Sequence, residues 1–207
     1  MKTIAISILF VFTSLLVHAQ LGIKAGPNFA NITNASEINN SSETGYHFGL
    51  FFQGPVKKFL SSDTELLYSK QGYNYETSEN TGEVNLDYLF LHQLLVLNFT
   101  EFVQVQAGFH LAYLLNAKVD STQVSTGNAS TDKIVDLLNR FDYGLGGGVE
   151  IHPIYQLVAG ARINFSLGQL YKEPDENGEI PPFVPDIDAK NNLFQLYVGI
   201  KFGSAEK

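Results

Sequence analysis

Residues 103–113 read VQVQAGFHLAY and alternate without interruption: Val103, Val105, Ala107, Phe109, Leu111 and Tyr113 fall on one face, Gln104, Gln106, Gly108, His110 and Ala112 on the other. Successive side chains of a strand point to opposite faces, so this is a strand with one apolar, aromatic side and one polar, small side. The division recurs elsewhere. Tyr46, Phe48, Leu50 and Phe52 stand opposite Gly45, His47 and Gly49; Phe141, Tyr143, Leu145, Val149 and Ile151 stand opposite Arg140, Asp142, Gly144, Gly146, Gly148 and Glu150. Near the end of the chain, Ile163, Phe165 and Leu167 oppose Arg162, Asn164 and Ser166, and Phe194 to Phe202 alternate with Gln195, Tyr197, Gly199 and Lys201. An apolar outside around a polar, glycine-rich inside is the pattern of a transmembrane β-barrel. A secreted soluble barrel with an apolar ligand inside would need the reverse.

Eight such segments are expected, at residues 21–30, 44–53, 64–74, 84–99, 102–118, 140–151, 156–170 and 192–202. Each reaches the roughly nine to eleven residues that a tilted strand needs to cross the hydrocarbon. The connections alternate in size: 32–43, 75–83, 119–139 and 171–191 are long and polar, while 54–63, 100–101 and 152–155 are shorter. Long loops belong on the extracellular side and short turns on the periplasmic side, which puts both mature termini in the periplasm. The expected fold is all-β: an eight-stranded antiparallel up-and-down transmembrane barrel with long outer loops. One strand resists orientation, because LDYLFLHQLLVLNF (residues 86–99) is apolar on both faces.

The start of the chain supplies the route to such a membrane. Lys2 is followed by an apolar run over residues 4–17 and by Val17-His18-Ala19, small at the positions a signal peptidase reads. The run is too short for a membrane-spanning helix. Residues 1–19 are therefore expected to be a cleaved signal peptide and residues 20–207 one barrel domain. The absence of cysteine excludes a lipidated anchor, a disulfide and a thiolate metal site. With 13 basic against 21 acidic residues and no basic cluster, nucleic acid is not an expected partner.

The segments GIKAGPNFANI (22–32), GYHFGLFF (45–52), TELLYSKQGY (64–73), LDYLFLHQLL (86–95) and FDYGLGGGVEI (141–151) resemble successive strands of PorT-type outer-membrane β-barrel domains of Gram-negative bacteria. The resemblance spans the mature chain, implies an outer-membrane location and an eight-stranded barrel, and brings no catalytic motif. It departs at His92, where the family commonly has proline.

The inward charges Lys24, Glu65, Arg140, Asp142, Glu150, Arg162 and Lys201 are expected to form a pairing network in the lumen, since an unpaired buried charge is costly. Eight strands leave no open channel once side chains fill them, so no pore is expected. A lipid A or phospholipid enzyme on the same barrel is the alternative. It would draw on His47, His92 or His110 with Ser69 or Ser166, of which only His92 is expected to meet lipid. No Ser-centred motif accompanies them, and the chain is expected not to be an enzyme and to need no cofactor or metal. The last long loop holds Glu173, Asp175, Glu176, Glu179, Asp186 and Asp188 among Pro174, Pro181, Pro182 and Pro185. Its spacing matches no calcium loop and reads as solvated charge. The expected role is structural or interactive, with outer-membrane lipids around the barrel and lipopolysaccharide or an envelope protein at the outer loops.

Overall fold

A computed structural model describes residues 20–33, 39–57, 59–154, 156–173, 181, 183–184 and 188–202. The expected signal peptide lies outside the described residues. Nine strands follow in chain order: β1 (Gln20–Thr33), β2 (Asn39–Gln53), β3 (Leu60–Glu76), β4 (Asn80–Asn98), β5 (Val103–Gln123), β6 (Ala129–Lys133), β7 (Phe141–Ile154), β8 (Leu157–Ser166) and β9 (Lys190–Lys201). Neighbours pair antiparallel in the order β4-β3-β2-β1-β9-β8-β7-β5, and β4 pairs with β5 to close the ring. Eight strands thus make the wall, as the alternation predicts. Closure gives every strand of this wall two neighbours, so no ladder edge among them faces hydrocarbon.

Two expectations about the connections need correction. The region 119–139 is not a plain loop: β6 folds back on the end of β5, with Asp120 opposite Thr131, and a 3-10 turn follows at Val135–Leu137. The first two long loops are also much shorter than expected, because β1 to β4 run on until only residues 34–38 and 77–79 separate them. Beyond the membrane the facing reverses: Asn74, Glu76, Glu83 and Asn85 point outward while Tyr73, Tyr75, Val84 and Leu86 point inward, so the apolar-outward pattern of a lipid-facing strand ends while the backbone ladder continues.

The wall is uneven in height. β5 meets β7 from Val103 opposite Ile151 to Tyr113 opposite Phe141, whereas it meets β4 up to Gln123 opposite Asn80. The ten residues above Tyr113 carry the β3–β6 side about 33 Å further along the strand. A bulge marks the transition: Asp87 pairs with Asn116 and Tyr88 with Leu114, leaving Leu115 over. Below it Gln104, Gln106, His110, Ala112 and Leu114 are inside; above it Ala117 and Val119 are.

Outward side chains form the apolar belt. Leu111, Leu145, Val198 and Ile163 are exposed on it, and aromatic side chains mark its two margins. Phe59, Phe99 and Phe102 lie at the short-turn end, and Tyr46, Tyr68, Tyr113 and Phe141 towards the long-loop end. Tyr113 and Phe141 pack edge to face across β5 and β7, 5.0 Å between centroids. The fourth strand takes a single orientation, with Leu89, Leu91 and Leu95 outward and Tyr88, Phe90, His92, Leu94 and Val96 inward.

Candidate functional site

The lumen is filled by polar side chains in tiers, beginning at the short-turn end. There Lys201 donates to Gln53 at 2.6 Å, Gln53 to Gln104 at 3.1 Å and Gln104 to Asn98 at 2.8 Å. One level up, Glu65 on β3 accepts Lys24 Nζ at 2.6 Å and two guanidinium N–H groups of Arg162, each at 2.6 Å. Arg162 also donates to Gln106 at 2.8 Å, and Gln106 and the Tyr197 hydroxyl both donate to Glu150, at 3.0 and 3.1 Å. Lys24 lies 3.6 Å from Glu150 and 3.8 Å from Asp63, between the rings of Phe51 and Tyr197. These charged side chains are at most 1% exposed. Two cations and three carboxyl groups removed from water persist only with such mutual contacts, and the planar Arg fork matches Glu65 bidentately.

A third tier centres on Asn28. Its amide nitrogen donates to Ser69 Oγ at 2.9 Å, and its carbonyl accepts Gln195 at 3.1 Å and faces His47 Nδ1 at 2.7 Å. Beside the second tier, where His92 stands opposite Glu65, the rings of Phe90, His92 and His110 lie with centroids 5.3 to 5.7 Å apart, Phe90 and His92 stacked and His110 tilted against both. His92 is fully buried, which corrects the expectation that it alone meets lipid. The outward positions beside it belong to Leu91 and Gln93, and towards the long-loop end Val84, Leu86 and Tyr88 face inward while Glu83, Asn85 and Asp87 face outward. Among the described residues no serine hydroxyl contacts a histidine nitrogen; Ser166 donates to Asp142 at 2.5 Å.

Of the seven charges expected to pair, Lys24, Glu65, Glu150 and Arg162 meet in the second tier. Lys201 sits one tier below them on Gln53, with no carboxylate within ion-pair distance among the described residues. Asp142 is held near the long-loop rim by Ser166 and the Tyr143 backbone N–H. Arg140 lies just before β7, half-buried, without an ion pair among the described residues; its carbonyl accepts Leu114 N–H at 2.8 Å. The reason is height. Facing inward is shared by every second residue, but Asp142 and Glu150 are eight residues apart on one strand, about 26 Å, too far to join one cluster. Asp63, Gln106 and Tyr197 complete the second tier and were not singled out. Asp63 shares the phase of Glu65 but falls in a turn when the strand is taken to begin at residue 64, whereas β3 begins at Leu60. Gly160 gives Tyr197 its place, since a Cβ there would stand 2.5 Å from the ring's Cζ and hydroxyl oxygen.

The long-loop half of the interior is apolar, contrary to the expectation of a polar lumen throughout. Tyr73, Tyr75, Val84, Leu86 and Tyr88 from the raised wall pack with Ile134, Leu138, Leu170, Tyr171 and Phe183 from the connections. Tyr73 contacts the Tyr171 hydroxyl and donates to the Phe183 carbonyl at 2.9 Å. Backbone bonds join the connections themselves: Asn139 N–H to Leu170 O at 3.0 Å, Lys172 N–H to Leu137 O at 3.0 Å and Leu170 N–H to Ala189 O at 2.8 Å. They form a folded cap. On its outer face, Thr81, Glu83, Asp120, Thr122, Ser130 and Thr131 line a polar depression of about 480 Å³. Asp175, Glu176, Glu179 and Asp186 of the acidic loop lie outside the described residues. Among the described residues no group of three or more His, Asp or Glu is placed to hold a metal ion.

With this geometry in hand, the family profile described as outer membrane protein beta-barrel domain matches residues 17–172. The chain belongs to that family. Its barrel therefore stands in the outer membrane. No curated protein sequence matches the chain. Among solved structures it is similar to Ail, the attachment invasion locus protein of Yersinia pestis, with 13% identity, 90% of this chain and 100% of that one covered, and a TM-score of 0.51. Ail has also been solved with the heparin analogue sucrose octasulfate. Neisserial surface protein A is similar at 14% identity over 88% of this chain and 97% of its own, with a TM-score of 0.48. At these identities the likeness is one of fold.

Proposed function

We propose that this outer-membrane barrel is a PorT-type structural or interaction protein whose folded cap is the contact surface, exported by a signal peptide cleaved after Ala19 in a Gram-negative envelope. The observation that carries the reading is the contrast between the two ends of the lumen. Charge tiers close the membrane section, while a separate apolar core makes the projecting end a defined platform. A chain that conducts nothing but maintains a shaped surface beyond the bilayer is suited to holding a partner. The exposed cap residues Glu76, Glu79, Glu83 and Asp132 outnumber Lys118 and Lys133, so an envelope protein with a neutral or basic face fits it better than a sulfated polysaccharide or bare lipopolysaccharide phosphate. The non-enzymatic reading draws support from the burial of His47, His92 and His110 inside the barrel.

The test replaces residues 121–130 by Asn-Gly, which joins the opposed Asp120 and Thr131 by a two-residue hairpin turn and touches no buried apolar side chain. The shortened protein should remain heat-modifiable on gels yet fail to restore envelope integrity in a deletion strain, and lose in vivo photo-cross-links placed at Thr81 or Glu83, which the replacement leaves in place. Full complementation overturns the cap as contact surface. A change in lipid A or phospholipid that depends on His92 would establish the enzyme instead.

A further inference from the structure

The lipid-facing belt is apolar on every wall strand except β3 and β4. There Ser62, Thr64 and Gln93 point outward between the inward Asp63, Glu65, His92 and Leu94, and among the described residues they are the polar side chains of the belt. Their depth is what sets them apart. Gln93 is six residues from Phe99 at the short-turn margin and six from Asp87 beyond the long-loop margin, and Thr64 is six from Lys70. With about 3.3 Å per residue and a tilt near 40°, the short-turn margin is roughly 13–15 Å away and Tyr68 at the long-loop margin, four residues from Thr64, roughly 10 Å, which puts the pair deep in the hydrocarbon near the bilayer midplane.

Thr64 and Gln93 are opposed in the β3–β4 register, and Thr64 Oγ1 donates to Gln93 Oε1 at 2.8 Å. This uses the Thr donor and leaves the Gln amide nitrogen with one long contact, 3.5 Å to the Asp63 carbonyl. A primary amide carries two N–H donors, and hydrocarbon offers them no acceptor. Lone pairs remain on Gln93 Oε1 and Thr64 Oγ1. The pair is therefore complementary to a second copy of itself: each amide donates to the other copy's oxygens.

We infer that the β3–β4 face is a dimer interface within the bilayer, formed by two copies of this chain around a twofold axis along the membrane normal. Both copies insert with the same orientation, so that axis brings Gln93 against Gln93 at equal depth, as an isologous contact requires. Leu66, Leu91 and Leu95 surround the amides and complete the contact with apolar surface.

The chain contains no cysteine, which makes site-directed cross-linking direct. In liposomes of defined phospholipid, the folded full-length mature protein carrying Leu91→Cys or Leu95→Cys should form a covalent dimer with a short bis-maleimide, whereas Leu145→Cys on β7 should not. Adding Thr64→Val and Gln93→Leu, which suit lipid better than the native pair, should lower the Leu91→Cys dimer yield about tenfold while the heat-modifiable folded form persists. Equal cross-linking at Leu145→Cys, the absence of dimer at all three positions, or a dimer indifferent to the double substitution overturns the interface. Cross-linking of Leu91→Cys in native membranes to a different polypeptide only would overturn the second copy as occupant.

Discussion

Glu65 is the hinge of the second lumen tier, and its removal should be costlier than that of its strongest partner. It accepts three charge-assisted hydrogen bonds, one from Lys24 and two from Arg162, all at 2.6 Å. Replacing Glu65 by Gln leaves two cations buried with Glu150 and Asp63 at 3.6 and 3.8 Å from Lys24 and no carboxylate on Arg162. Breaking a buried pair by deleting one member costs about 3–5 kcal/mol. Replacing Arg162 by Gln instead leaves Glu65 still joined to Lys24, so about half that loss, ~2 kcal/mol, is expected. The double substitution should lie below the sum of the two by about 1–3 kcal/mol, because the shared interaction is lost only once. The assay is urea unfolding in phospholipid vesicles, followed by the gel-mobility difference between folded and unfolded forms. With a slope of about 2 kcal/mol per molar urea, Glu65→Gln should move the midpoint down by about 1.5–2.5 M and Arg162→Gln by about 1 M. Equal shifts, a larger shift for Arg162→Gln, or strict additivity would refute the shared-carboxylate reasoning.

Three further outcomes follow from the interior. Gly160→Ala should lower folding stability by about 1–3 kcal/mol in the same assay, because the added carbon meets a Tyr197 ring already fixed by Glu150 and Lys24; an unchanged midpoint would show that the ring moves aside freely. Phe183→Ala should raise the rate at which protease cuts the cap, by exposing Tyr73 and Tyr75, while the unfolding free energy of the barrel from the urea midpoint changes by less than about 0.5 kcal/mol. Faster cleavage together with a lower barrel stability would mean that cap and wall fold as one unit. In planar bilayers the wild-type protein should give no steady conductance steps, since the charge tiers and the cap both obstruct the axis; stable steps would contradict the closed lumen.

The wall was legible because a bilayer imposes a strict rule on each outward side chain. Phe141 to Ile151 and Phe194 to Phe202 could be assigned to faces one by one, and the structure places them so. Legibility ended where that rule lapses. Above Tyr113 water covers the outer face and the cap covers the inner one, so the facing reverses, with Lys118 and Asp120 outward and Ala117 and Val119 inward, and β6 and the extensions of β1 to β4, which lack an apolar outward face, went unread. The two-sided apolar character of β4 had a physical cause that no local pattern reveals: lipid on one side, and on the other Leu138, Tyr171 and Phe183 brought from more than forty residues away. The lumen was half legible. Facing could be read for Lys24, Glu65, Glu150 and Arg162, but the height that separates them from Arg140, Asp142 and Lys201 depends on strand stagger, which pairing alone sets.

The surplus residue at Leu115 has a consequence for how this chain tolerates changes in length. A strand of strict alternation cannot lose one residue without turning everything beyond the loss inside out. Here Leu115 is a slip joint. Deleting it straightens β5 and leaves Leu114 and Ala117 facing as before. Deleting Ala112 instead inverts only the stretch between the gap and the joint, after which Ala117 and Val119 resume their places. Single-residue gaps near the bulge are absorbed locally, so related chains can differ there by odd numbers of residues and keep one barrel, whereas the uninterrupted alternation of residues 103–111 admits only changes in pairs.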